Sequence, residues 1–182
     1  MTHGSACEQQ RAQVLGRALL ALVESVDRDN VSPFFEDHGL SDIQPDEWYA
    51  LEDWLGVLRD MTDKGTVWVD YVSAGRRMVE AVAPLPPFPA SSIDQIGLAG
   101  NQVYRALHRG EPVGEYVVER VNDRHLKVVV HTPYPCDFDY GICYAHALNS
   151  LPPGTTFRLW YDNASLCGVD ARYPAIIHIA WT

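Results

Sequence analysis

Up to about residue 110 the apolar side chains recur at three- and four-residue steps, and beyond it at every second residue. That change of period limits the fold to helices followed by strands. Val14, Leu15, Ala18, Leu19, Leu22, Val23 and Val26 share one face of a helix predicted over residues 11–26. A second helix is predicted from Pro45, with Asp46 and Glu47 near the positive end of its dipole. Its stripe runs Trp48, Leu51, Trp54 or Leu55, Leu58 and Met61, and Lys64-Gly65 stops it. Residues 69–82 and 92–107 read as a third and a fourth helix, the latter capped by Ser92 with Asp94 and Gln95 in its first turn. The prolines from Pro84 to Pro89 form a stiff connector between them.

Past Gly110, Tyr116, Val118 and Arg120 alternate with Val117, Glu119 and Val121, and the run His125–His131 returns after Asn122-Asp123. Residues 114–131 therefore read as a β-hairpin. Residues 138–148 read as a helix, and 156–161 and 175–181 as two further strands. The expected class is α+β, with N-terminal helices packed on an antiparallel sheet built from two β-hairpins with an intervening helix. A chain of 182 residues with 47% apolar content can bury one full core, so residues 1–182 are expected to form one domain. Residues 1–10 are expected to lie loose beside a helical half (11–110) and a strand-rich half (111–182).

The net charge of -10 is concentrated, because residues 27–63 carry eleven acidic side chains against Arg28 and Arg59. This excludes a phosphate backbone as the expected partner and reads as a solvated face. No leader pattern and no run of eighteen apolar residues is present, and four cysteines make no disulfide framework. A cytoplasmic, reduced protein without a membrane span is expected.

The chemistry-bearing side chains converge in one stretch, His131, Tyr134, Cys136, Tyr140, Cys143, Tyr144 and His146, braced by Pro133 and Pro135. Three readings compete. Cys143 and His146 share a helical face and, with Cys136 and either Cys167 or His131, give enough soft ligands for zinc, although the spacing matches no zinc signature and buried thiols commonly only pack. Cys136 ahead of a helix N-terminus would suit a nucleophile, with His131 or His146 as base and Asp137 or Asp139 orienting it. The two aspartates also read as an N-cap and an acidic first turn, which favours structure over catalysis, so an enzyme is not the expectation. The third reading is a pocket between helices and sheet that holds a small apolar or aromatic ligand, lined by Tyr104, His108 and Tyr116 together with the stretch above.

Element order, together with Tyr104, His108 and Gly110, then Gly114 and Tyr116, then Thr132 through Gly141, and Cys167-Gly168 ahead of a strand ending in Trp181, resembles a bacterial ligand-binding superfamily. It includes four-vinyl-reductase domains, relatives of the haem nitric-oxide-binding sensors, and subunits of the Golgi transport particle. The resemblance covers residues 10–182 and implies a sensor or regulatory domain. Four-vinyl-reductase types often close with two cysteines, whereas here Cys167 is followed by Tyr173. Haem sensors use a helical His and a Tyr-x-Ser-x-Arg string, which this chain lacks. Haem is therefore not expected, and only His146 keeps it open.

The resemblance also implies pairing through N-terminal helices, for which Phe34, Phe35, Trp48, Trp54 and Leu55 supply a self-complementary apolar patch and hence a homodimer. Ligand binding is the leading expectation, with the signal passed to a separate protein. A metal protein is second and a small cysteine-dependent enzyme third.

Overall fold

A computed structural model describes residues 11–24, 28–64, 70–82, 93, 96–110, 113–162 and 174–182. Ser92, Asp94, Gln95, the connector Pro84–Pro89 and Cys167, on which part of the sequence reading rests, lie outside the described residues. The N-terminal half runs β1 (Gln13–Leu15), α1 (Gly16–Val23), α2 (Arg28–Asp37), β2 (Trp48–Ala50) and α3 (Leu51–Asp63). It continues through α4 (Tyr71–Val82), α5 (Ile96–Leu107) and β3 (His108–Arg109). The second half runs β4 (Glu115–Asn122), β5 (His125–His131), α6 (Cys136–Ser150), β6 (Phe157–Tyr161) and β7 (Ala175–Trp181).

The α+β class holds, with one addition. β1, expected to be helical, is the middle strand of a small antiparallel sheet ordered β2-β1-β3. Val14 pairs with Tyr49 on one side and His108 on the other, and tertiary pairing overrides its helical spacing. The helix expected from Pro45 starts six residues later. The carbonyls of Glu47 and Pro45 instead accept the backbone N–H groups of Gly16 and Arg17, at 2.8 and 3.0 Å, and satisfy two orphan donors at the start of α1. The stripe itself stands: Leu51, Trp54, Leu58 and Met61 are buried on α3, with Trp48 outside it in β2.

The larger sheet is antiparallel in the order β4-β5-β7-β6. Period two places Leu126, Val128 and Val130 of β5 and Ala175, Ile177 and Ile179 of β7 on its buried face. The β4–β5 connection is Asp123-Arg124, where the Asn122 side chain accepts the Arg124 N–H at 2.9 Å. Gly114, at φ +90°, precedes the hairpin, and a Cβ there would stand 2.0 Å from the His131 carbonyl oxygen.

α4 lies against α6 at backbone contact. A Cβ on Gly75 would stand 2.0 Å from the Phe138 carbonyl oxygen, and one on Gly141 would stand 2.1 Å from the Val72 carbonyl oxygen. The reciprocal glycines fix α6 between α4 and the sheet. In the N-terminal half, Phe34, Phe35 and Trp54 are 7%, 5% and 2% exposed, and the Trp48 ring lies under the Arg109 guanidinium at 4.3 Å. The expected dimer patch is therefore largely spent within the chain. No helix among the described residues is long and apolar enough to cross a membrane.

Candidate functional site

Tyr104 at the end of α5, His108 in β3, Tyr116 in β4 and Tyr134 in the turn ahead of α6 come together. His108 Nδ1 lies 2.8 Å from the Tyr104 carbonyl, to which it donates, so Nε2 is the acceptor for the Tyr134 hydroxyl at 2.5 Å. Those two bonds assign the tautomer and use both ring nitrogens. The Tyr104 ring stacks on His108, centroids 4.1 Å apart, and meets Tyr116 edge-on at 83°. Burial pushes His108 down to about 4, so the imidazole is neutral, and it pushes the hydroxyls of Tyr104, Tyr116 and Tyr134 up.

These rings border a cavity of about 40 Å³ whose other walls are Ala18 of α1, Met78 and Val79 of α4, Gly100, Val103 and Leu107 of α5, and Phe138, Ile142 and His146 of α6. A smaller one of about 20 Å³ shares Gly100, Tyr116, Ile142 and His146 and adds Cys143. His146 makes no hydrogen bond to any described residue. Burial holds it neutral, pushed down to about 4. Gly100 faces open space: nothing described lies within 4 Å of where its Cβ would be.

Sequence reasoning placed Asp139 at a helix cap, and the structure turns it inward. The N-cap is Pro135, with no side-chain cap bond, whereas Asp139 is 1% exposed. It accepts hydrogen bonds from the Tyr116 hydroxyl and, at 2.6 Å, from the Thr132 hydroxyl. Desolvation pushes its carboxyl up to about 7, against the opposing pull of those two bonds. The spacing Cys136, Asp139, Cys143, Ala147 was the available signal, since it is the three-and-four step of the buried face of α6.

The structure thus gathers Tyr104, His108, Tyr116, Tyr134 and His146, with Cys143 at the second cavity. The remaining expected residues lie elsewhere. His131 is exposed at the end of β5; Tyr140 donates to the Leu159 carbonyl at 2.9 Å; Tyr144 packs on Phe157 with Arg76 over its ring. Cys136 is buried as the first residue of α6 and does not line either cavity. Zinc is a correction: among the described residues no three His, Cys, Asp or Glu side chains are placed to hold a metal ion, and burial pushes the Cys143 thiol up, away from thiolate. The nucleophile arrangement also fails to assemble. Asp137 accepts from Tyr161 at 2.9 Å, Asp139 is held by Tyr116 and Thr132, and His131 faces outward.

No family model matches this sequence, and no curated protein matches it. Solved structures do. An H-NOX protein from S. oneidensis in the Fe(II)NO ligation state matches with TM-score 0.61 at 14% identity, covering 92% of this chain and 99% of that one. An oxygen-binding H-NOX domain related to soluble guanylate cyclases, solved as its oxygen complex, matches with TM-score 0.59 at 10% identity and 92% coverage of both. A structure concerned with haem redox potential and porphyrin distortion matches with TM-score 0.63 at 10% identity and 92% coverage of both. The chain has the H-NOX fold, one of the folds within the resemblance drawn from its sequence. The expectation against haem is overturned here. The missing Tyr-x-Ser-x-Arg string speaks against haem, yet a structure that shares this fold over 92% of the chain concerns haem redox potential and porphyrin distortion.

Proposed function

We infer that this chain is a small-molecule sensor domain whose ligand sits between α4, α5 and α6, against β4. His146 carries the reading: a neutral imidazole borders an apolar cavity with no described hydrogen-bond partner, which leaves a ring nitrogen for an occupant. Gly100 supports it. A glycine inside a helix costs about 1 kcal/mol relative to alanine, and here it leaves space rather than a close contact.

Haem is the first occupant to test, because H-NOX structures in Fe(II)NO and oxygen-bound states share the fold. The donor chemistry fits, since haem iron takes a neutral imidazole and its ring an apolar slot. His146 would hold the iron, both nitrogens of His108 being engaged, and Val103, Leu107, Phe138 and Ile142 would flank the ring. Bound haem would supply an iron site for a small diatomic ligand. Space sets a condition: one water needs about 10–15 Å³, so the cavity of about 40 Å³ holds a few waters and its walls must part for a porphyrin. A flat aromatic ligand without iron is the second reading, favoured by the four rings of Tyr104, His108, Tyr116 and Tyr134. In either case the chain acts as one domain and reports to a separate protein.

Titration of the purified protein with hemin, followed by its Soret band, tests the first reading. One hemin per chain is expected, with His146→Ala weakening binding by at least about tenfold, or ~1.4 kcal/mol. A co-purified organic mass in native mass spectrometry without hemin binding moves the conclusion to the second reading. Neither would overturn the sensor assignment.

A further inference from the structure

Asp139 is a buried carboxyl, and among the described residues no cation is placed to balance its charge. Tyr116 of β4 and Thr132, just past β5, each give it one hydroxyl proton. Among the described residues the titratable groups facing it are neutral: Tyr116 from β4, Tyr104 from α5, Tyr134 from the turn before α6, and Cys143 on α6 itself. His108 stands behind Tyr104 and Tyr134, also neutral. α4 runs alongside but sends Arg76 over the Tyr144 ring and Arg77 to the Glu24 carbonyl. A carboxylate with two hydroxyl donors and no cation is held against the cost of desolvation.

The Tyr116 that binds this carboxyl also borders both cavities. A phenol has one proton to donate. While Asp139 is ionised, that proton is committed to Oδ1 and the Thr132 proton to Oδ2, so Tyr116 can offer an occupant only lone pairs. Once the carboxyl carries a proton, it becomes the donor and a hydroxyl proton is released.

We propose that Asp139 is the proton-uptake site of the ligand cavity, so that an occupant with an acceptor atom beside Tyr116 binds together with one proton from solvent. That proton goes to the Asp139 carboxyl, the carboxyl donates it in a hydrogen bond to the Tyr116 oxygen, and the Tyr116 proton turns to the acceptor of the occupant. The one covalent change is the O–H made on Asp139 as a hydronium ion or buffer acid of the solvent gives up its proton, and Tyr116 keeps its own O–H bond. The inference rests on reading the cavity as a ligand site, which the test below separates from it.

The readout is the infrared carbonyl stretch of a protonated carboxylic acid, assigned by its loss in Asp139→Asn. In the ligand-free protein the band should titrate with a midpoint near neutrality, and Thr132→Val, which removes a donor to the ionised form, should move the midpoint upward. At pH 8 the band should be weak without hemin and should gain strength on loading, while an isolated structural carboxyl would not respond. Should Asp139→Asn fail to fold, the upward shift in Thr132→Val makes the assignment. A ligand-free midpoint in the ordinary carboxylate range overturns the proposal. So does a band indifferent to hemin in protein whose Soret band shows it loaded, and that outcome leaves the cavity assignment intact. Absence of the Soret change removes haem as occupant, and the band must then gain strength at pH 8 with the co-purified organic ligand, failing which the linkage is overturned.

Discussion

Gly75→Ala sets helix propensity against steric contact, and the outcome can be worked from the α4–α6 interface. The added Cβ would stand 2.0 Å from the Phe138 carbonyl oxygen, where ordinary contact begins near 3.4 Å, so the helices must separate by about 1.4 Å or the backbone must bend. A side chain could rotate aside, but a helical carbonyl cannot. Overpacking typically costs 1–3 kcal/mol, and the obstructing backbone puts this case at about 3. Alanine returns about 1 kcal/mol through propensity. The net loss is about 2 kcal/mol, a fall in Tm of roughly 4–8 °C for a chain of this size. Urea denaturation and thermal melts followed by circular dichroism measure it. Gly141→Ala should behave alike against the Val72 carbonyl, and the double variant should cost less than the sum, because helices already forced apart accept the second methyl easily. A Gly75→Ala protein that melts at or above the parent temperature refutes the contact argument and leaves propensity in command.

Gly100→Ala should do the opposite: with open space at its Cβ, it should gain about 1 kcal/mol in stability by urea denaturation. Tyr134→Phe should cost about 1–3 kcal/mol by the same assay, because it strands the buried Nε2 of His108 without a donor. Acid should weaken the fold through His108. Its folded value of about 4 lies below the ordinary imidazole value of 6.5, so the unfolded chain takes the proton first, and stability present above pH 6.5 is lost as pH falls towards 4, by up to about 3 kcal/mol. Asp139 runs the other way: raised from 3.8 to about 7, it favours the fold at low pH and loses up to about 4 kcal/mol as pH rises between those values. Asp139→Asn should therefore show a steeper acid loss of stability than the parent chain, and His108→Phe a shallower one, in unfolding free energies compared from pH 4 to 8.

Most elements were legible because their period is written into the apolar positions. Leu126, Val128 and Val130 alternate, Leu51, Trp54, Leu58 and Met61 stripe, and both patterns survive in the structure. β1 and β2 were not legible: three residues are too few to carry a period, and Val14 and Leu15 satisfy a helix as well as a strand. α2 was hidden by its polar sequence and Pro33. Within the site, Tyr104, His108, Tyr116, Tyr134 and His146 at the cavity of about 40 Å³ were named from sequence, as was Cys143 at the smaller one, whereas the larger cavity's aliphatic walls such as Met78 and Val103 were not. His131 was misjudged, since it has the opposite parity to Val130 and so points off the buried face, while Tyr140 and Tyr144, four residues apart, turn together toward β6 and its flank. The burial of Asp139, named only as a cap or as the partner of a catalytic base, was missed because a carboxylate in the first turn of a helix has a ready explanation, and only the depth of α6 in the molecule defeats it.

The small sheet has a kinetic consequence. Arg109 reaches Gln13 across 96 residues of chain, through both strand pairing and a side-chain hydrogen bond of 2.7 Å. Loop closure over such a span must be met before any of those contacts repays it. β1 therefore waits for α5, and the step that gives β1 its second neighbour is the one that seats His108 against Tyr134 at the cavity wall. Of the described elements β1 is made before all the others and is among the last to be completed.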